Sequence, residues 1–179
     1  MQERDESPFP FFYGIFRRYT SKQRVDEIYC ECYNKDTVKK GENKTMAKDI
    51  SFDELREAML YHRITEWKDN YIRLDNGMEL RIEETEQDCC ASACGQFEDV
   101  KLDAAITAIS DIKYEPWEDD DTYGCSAVVT IMHNRNIICK AIGNADAGNG
   151  GYYYSIASFC VKMPNRQNCQ CYFVGSDNG

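Results

Sequence analysis

The alternation of apolar and polar positions becomes orderly after residue 45, and the first element it defines opens at Ser51-Phe52-Asp53-Glu54. A serine three residues ahead of a glutamate is a capping box: the hydroxyl reaches the third helical N–H, and the carboxylate reaches back to the serine N–H. This predicts a helix starting at Phe52. Phe52, Leu55, Met59 and Leu60 fall at offsets 0, 3, 7 and 8, so one face is apolar while Asp53, Arg56 and Glu57 lie opposite. Ile50 and Leu55 are placed for a hydrophobic staple. So short a helix needs a sheet to pack on.

Beyond His62 the period becomes that of strands. Residues 64–68, 71–74 and 78–83 are rich in branched and aromatic side chains and are separated by Asp69-Asn70 and by Asp75-Asn76-Gly77. Asn-Gly accepts positive φ at both central positions of a type I′ turn, which predicts a hairpin with Leu74 and Met78 at its base and Met78, Leu80 and Ile82 on one face. Further strands are expected at 105–114, 126–133, 137–143, 152–161 and 169–174, with Asn134-Arg135-Asn136 as a turn. Connections this short join antiparallel neighbours, because a parallel crossover takes roughly a dozen residues or more. The predicted fold class is α+β, a mainly antiparallel β-sheet with one short capped helix packed on it.

That domain is expected to occupy residues 46–179, preceded by an extension over 1–45. The stretch NKDTVKKGENKT before Met46 has no periodicity and reads as a linker. Ahead of it, Phe9, Phe11, Phe12, Tyr13, Ile15 and Phe16 form an aromatic segment followed by Arg17-Arg18. Phe9, Phe11, Phe12 and Phe16 either pack on the domain or contact a partner, which includes a second copy in a homodimer.

Charge separates the two parts. The 179 residues carry a net −10; the first 45 hold nine basic and eight acidic side chains, leaving −11 for the remainder. Such a balance repels phosphate backbones and argues against direct non-specific nucleic-acid binding. The first ten residues lack the apolar core of a signal peptide, and no run of about 18 apolar residues occurs, so no membrane contact is expected and the cytoplasm is the expected location.

In that compartment the ten cysteines should be free thiols. Cys125, Cys139 and Cys160 read as small buried hydrophobes inside strands. Cys89, Cys90 and Cys94, with Asp88, are the candidate metal ligands, and zinc is the candidate metal, although the spacing is not that of paired C-x2-C knuckles. A nucleophilic role for Cys89 lacks a base: Glu83, Glu84, Glu86 and Asp88 raise a nearby thiol pKa, and His62 and His133 are the only imidazoles. No catalytic residue is assigned, and no cofactor is expected otherwise.

Residues 143–151 are the glycine-rich stretch. They lack the Gly-Lys-Ser/Thr ending of a P-loop and lead into YYYSIASF. They read either as a plain connection between strands or as a ligand loop, in which Gly148, Asn149 and Gly150 offer backbone N–H groups and Tyr152 and Tyr154 stack on a base. Glu118, Asp119, Asp120 and Asp121 form an acidic run. It is either a solvated loop or a surface that docks on a basic groove of a nucleic-acid-binding protein.

Leu74-Asp75-Asn76-Gly77, Gln87-Asp88-Cys89-Cys90-Ala91-Ser92, Glu98-Asp99-Val100, the strand around Ile106 to Ile109, and Asn149-Gly150-Gly151-Tyr152-Tyr153-Tyr154-Ser155 occur in one order. That order resembles a small domain of unknown function carried by phages and mobile elements, DUF7448, over roughly residues 74–161. Ala91 stands where that family has an acidic residue, and Thr85-Glu86 lacks its histidine. The resemblance implies a β-rich fold and a phage or mobile-element setting, with the cytoplasm of a host cell as the place of action. With the charge and the missing catalytic set, it leads to a non-enzymatic binding protein that inhibits a host defence protein, such as an anti-CRISPR acting on a Cas nuclease. The competing readings are a nucleotide-sequestering protein that uses the Gly/Tyr-rich loop, and a metal-dependent hydrolase.

Overall fold

Two β-sheets share one apolar core within residues 47–178, the part of the chain that the computed structural model describes. The aromatic segment with Phe9, Phe11, Phe12 and Phe16 lies outside these residues. In chain order the elements are β1 (Lys48–Asp49), α1 (Phe52–Met59), β2 (Ile64–Lys68), β3 (Tyr71–Leu74), β4 (Glu79–Gln87), β5 (Ser92–Glu98), β6 (Ala108–Ile109), β7 (Lys113–Asp119), β8 (Thr122–His133), β9 (Asn136–Asp146), β10 (Ser155–Lys162) and β11 (Cys169–Gly175). The first sheet has the order β1-β11-β10-β4-β3-β2. The second runs β5-β9-β8-β6, with β7 also paired to β8. All pairings are antiparallel except that of β1 with β11.

Period-2 alternation sets the inner faces. Leu80 and Ile82 of β4, Ala157, Phe159 and Val161 of β10, and Phe173 of β11 are buried from one side. Cys125, Ala127, Val129 and Ile131 of β8 and Cys139, Ala141 and Ala145 of β9 are buried from the other. The sheets approach closely at Gly143, where an added methyl group would lie 2.7 Å from the Phe173 ring.

In α1, Ser51 Oγ accepts from the Glu54 N–H at 3.2 Å while Glu54 Oε2 accepts from the Ser51 N–H at 2.8 Å. That second bond holds the Glu54 carboxyl below its ordinary pKa. Leu55 and Met59 are buried, and the Phe52 and Phe159 rings stack with centroids 6.3 Å apart, which seats the helix on the first sheet.

Several boundaries differ from the sequence reading. The 75–77 loop is not a type I′ turn: Gly77 alone has positive φ (82°), the Gly77 N–H donates to Leu74 O, and the Leu74 N–H donates to Met78 O. Asp75 makes the loop three residues long, and such hairpins end in a left-handed glycine. The expected strand over 105–114 is two, β6 and β7, the latter carrying Pro116. Asn136 begins β9 and is not part of the turn. Strand β5 was not expected, and Tyr152 to Tyr154 precede β10. Cys160 is half-exposed, because Phe159 and Val161 take the core-facing positions of β10.

Candidate functional site

Register brings three separate segments to one end of the molecule. Ser155 at the start of β10 pairs with Gln87 at the end of β4, so the residues after β4 meet those before β10. The Asp88 N–H donates to Tyr154 O at 2.9 Å, and the Ala91 N–H donates to Asp88 O at 2.9 Å. Cys89 and Cys90 are therefore the central residues of a tight turn. Both are exposed, Cys89 has φ 30°, and the two sulfurs are 3.3 Å apart. Hydrogen bonding to Cys89 is the main cause that pushes the Cys90 thiol above its ordinary pKa, and the Tyr153 hydroxyl is raised by its own hydrogen bond to Cys89.

The second segment is the connection from β9 to β10. Residues 143–146 of the glycine-rich stretch belong to β9, and Asn149–Gly151 form a 3₁₀ turn. The backbone donors of this loop are largely engaged within the chain: Gly148 N–H with Asp146 Oδ1, Gly150 N–H with Asp121 O at 2.6 Å, Gly151 N–H with Gly148 O at 3.0 Å, and Tyr153 N–H with Ala147 O at 3.1 Å. Gly148 thus offers no free N–H to an anion, nor does Gly150. Asn149 and Tyr154 are exposed, and Tyr152 is 86% exposed, its ring standing out from the surface.

The third segment is the tip of the β7–β8 hairpin. Glu118 and Asp119 end β7, Asp120 and Asp121 make the turn, and all four side chains are exposed. The hairpin touches the glycine loop through the Asp121 carbonyl and through the Tyr123 carbonyl, which accepts from the Ala147 N–H at 2.9 Å. The Tyr123 ring lies against Gly151. Residues 83–91, 118–123 and 147–154 contain no lysine or arginine, so their carboxylates lack a basic neighbour in sequence.

Beneath this surface is a buried polar layer that the sequence reading missed. Ser155 Oγ donates within reach of Ser92 O (2.7 Å) and Asp146 O (2.8 Å), and the Ser176 N–H donates to Ser155 O. Asn144 Oδ1 accepts from Trp117 Nε1 at 3.0 Å and Ser126 Oγ at 3.1 Å. Thr122 Oγ1 donates to the buried Asp146 carboxylate at 3.3 Å. These bonds tie β5, β7, β8, β9 and β10 together under the three segments. The only sequence signal was polar side chains inside runs that otherwise read as strands.

Cys94 lies on β5 opposite Asn144. Among the described residues no three His, Cys, Asp or Glu side chains gather as metal ligands. His62 Nδ1 faces Asp75 Oδ1 at 2.8 Å, and His133 Nδ1 faces Ala105 O at 2.8 Å, so both imidazoles are engaged. Cys139 is buried and its thiol is pushed up to about 12 by that burial.

Residues 57–160 match the model of a domain of unknown function, DUF7448, over more than half of the chain. The chain belongs to the DUF7448 family. The matched stretch reaches further toward the amino end than the motifs suggested, into α1, and takes in the double-cysteine turn, the acidic hairpin and the glycine loop of this DUF7448 chain. No curated protein and no solved structure matches the chain. Among the described residues no helix is long and apolar enough to cross a membrane.

Proposed function

We propose that this chain is a non-enzymatic binding protein of a phage or mobile element that docks its acidic, tyrosine-bearing end on a basic groove of a host protein. A host defence nuclease, such as a Cas nuclease, is the partner the chemistry favours. One observation carries the reading: the acidic hairpin, the glycine loop and the double-cysteine turn converge without a basic residue in any of them. A groove that binds nucleic acid offers cations spaced for phosphates and surfaces on which bases stack. Asp119, Asp120 and Asp121 supply the negative charge, and Tyr123, Tyr152 and Tyr154 supply ring faces beside it.

The test is retention of host proteins by the full chain and by Asp119→Asn/Asp120→Asn/Asp121→Asn. The expected result is a nucleic-acid-binding protein retained by the wild type, released by a polyanion such as heparin, and held at least tenfold less well by the triple variant. Equal retention by both chains would overturn the reading.

A second reading is favoured by the exposure of Tyr152 and Tyr154: the loop stacks and sequesters a nucleotide. Its engaged N–H groups leave little to hold a phosphate, so stacking would carry the affinity. Saturation at 100 times the dissociation constant stabilises a protein by about 2.7 kcal/mol, so a thermal-shift screen of linear and cyclic nucleotides separates the two readings.

A further inference from the structure

We propose that Cys89 and Cys90 are a modification site, a vicinal dithiol that a low-molecular-weight disulfide oxidises reversibly to a ring between adjacent residues. The two sulfurs already lie 3.3 Å apart at the apex of an exposed turn, and no rearrangement of strands is needed to join them. The turn is closed on itself by the Ala91 N–H bond to Asp88 O and anchored by the Asp88 N–H bond to Tyr154 O, which keeps both thiols on its outside. Cys89 sits at φ 30°, a backbone setting that L residues rarely adopt, so the turn already departs from relaxed geometry.

The Tyr153 hydroxyl completes the arrangement. It hydrogen-bonds the Cys89 sulfur, as does the neighbouring Cys90 thiol, so the two sulfurs are held side by side.

One of the two cysteines, having lost its proton to solvent, attacks one sulfur of the small disulfide, forming a mixed disulfide and releasing one thiolate. The other cysteine, losing its proton to solvent, then attacks the first cysteine's sulfur and releases a second thiolate, and the two released thiolates take up the two protons. The protein loses two protons and two electrons, and the small disulfide is reduced to two thiols.

Adjacent α-carbons are about 3.8 Å apart, shorter than the roughly 4.4–6.8 Å that relaxed disulfides span, so the ring is strained. Strained, exposed disulfides are the easily reduced ones, which makes the modification reversible by excess thiol.

Oxidised glutathione is the probe. The full chain is equilibrated with it, remaining thiols are alkylated, and the peptide of residues 82–101, which holds Cys89, Cys90 and Cys94, is sequenced by mass spectrometry. The expected product has lost two hydrogens at Cys89–Cys90, carries alkylated Cys94, and reverts with excess reduced glutathione. Cys94→Ser should give the same product. Cys89→Ser and Cys90→Ser should each lose it and retain the mixed disulfide instead. A persistent mixed disulfide on the wild type, a bridge through Cys94, or an unmodified peptide would each overturn the proposal.

Discussion

Replacing Gly148 with alanine tests whether the glycine loop and the double-cysteine turn bear on one another. Gly148 has φ 70° and ψ −176°, a region that only glycine occupies readily, and holding another residue there costs of order 1–3 kcal/mol. The added methyl group would also lie 2.8 Å from the Cys90 carbonyl carbon, 2.9 Å from its oxygen and 3.0 Å from the Ala91 nitrogen. These are backbone atoms of a closed turn, which cannot swing aside as a side-chain end would. Overpacking of this kind costs about another 1–3 kcal/mol, part of it relieved as the loop shifts, so Gly148→Ala should destabilise by roughly 2–4 kcal/mol. For a domain of this size that is a fall in melting temperature of roughly 8–16 °C. Urea unfolding gives the energy, and native hydrogen exchange at the Asp88 and Tyr153 amides shows where the structure opens, because both donate across this contact region. Asn149→Ala, at the exposed neighbouring position, should stay within about 0.5 kcal/mol of wild type. A Gly148→Ala chain that loses less than about 0.5 kcal/mol and exchanges those two amides at wild-type rates would show that the glycine loop and the double-cysteine turn do not bear on one another.

Three further outcomes follow from other parts of the molecule. The Cys139 thiol titrates at its ordinary 9.0 when unfolded and at about 12 when folded, so its contribution is intact below about pH 9 and is lost as pH rises toward 12. Unfolding free energies from urea titrations should therefore fall with a slope of up to about 1.4 kcal/mol per pH unit from this group, and Cys139→Ala should flatten that slope whatever it does to stability at neutral pH. Ser51→Ala removes the acceptor of the Glu54 N–H and should cost about 1 kcal/mol, read as a shift of roughly 4 °C in thermal denaturation. A chain beginning at Met46 keeps β1, whose Lys48 N–H donates to Asn168 O, and should fold by circular dichroism, while light scattering shows loss of self-association or binding shows loss of partner affinity once Phe9 to Phe16 are gone.

Local chemistry made some elements readable. The helix from Phe52 followed from a capping box and four spaced apolar side chains, both of which act within a few residues. Strands β2 and β3 followed from branched and aromatic runs between turn residues. Strand β5, SACGQFE, carries no β-branched residue, and its pairing with β9 supplies what its composition lacks. Pro116 hides β7 because proline cannot donate to a ladder, yet it is tolerated on a strand paired on one side. Each part of the candidate site was visible singly, as glycines, acids or paired cysteines. Their convergence was not, because it depends on the register of Ser155 against Gln87 and on the Asp121–Gly150 contact, which join residues far apart in the chain.

The β4–β10 pairing also sets an order in time. Gln87 waits for Ser155, and the hydrogen bond from Asp88 to Tyr154 cannot form until β10 has been made. At synthesis rates of roughly 5–20 residues per second, the stretch from Cys90 to the end of β10 takes about 4–14 s to emerge. Throughout that interval the double cysteine is on a nascent segment with no tyrosine beside it. The thiols reach their final chemical surroundings only with the last third of the chain, so a nascent polypeptide and the finished protein differ in how these two sulfurs meet an oxidant.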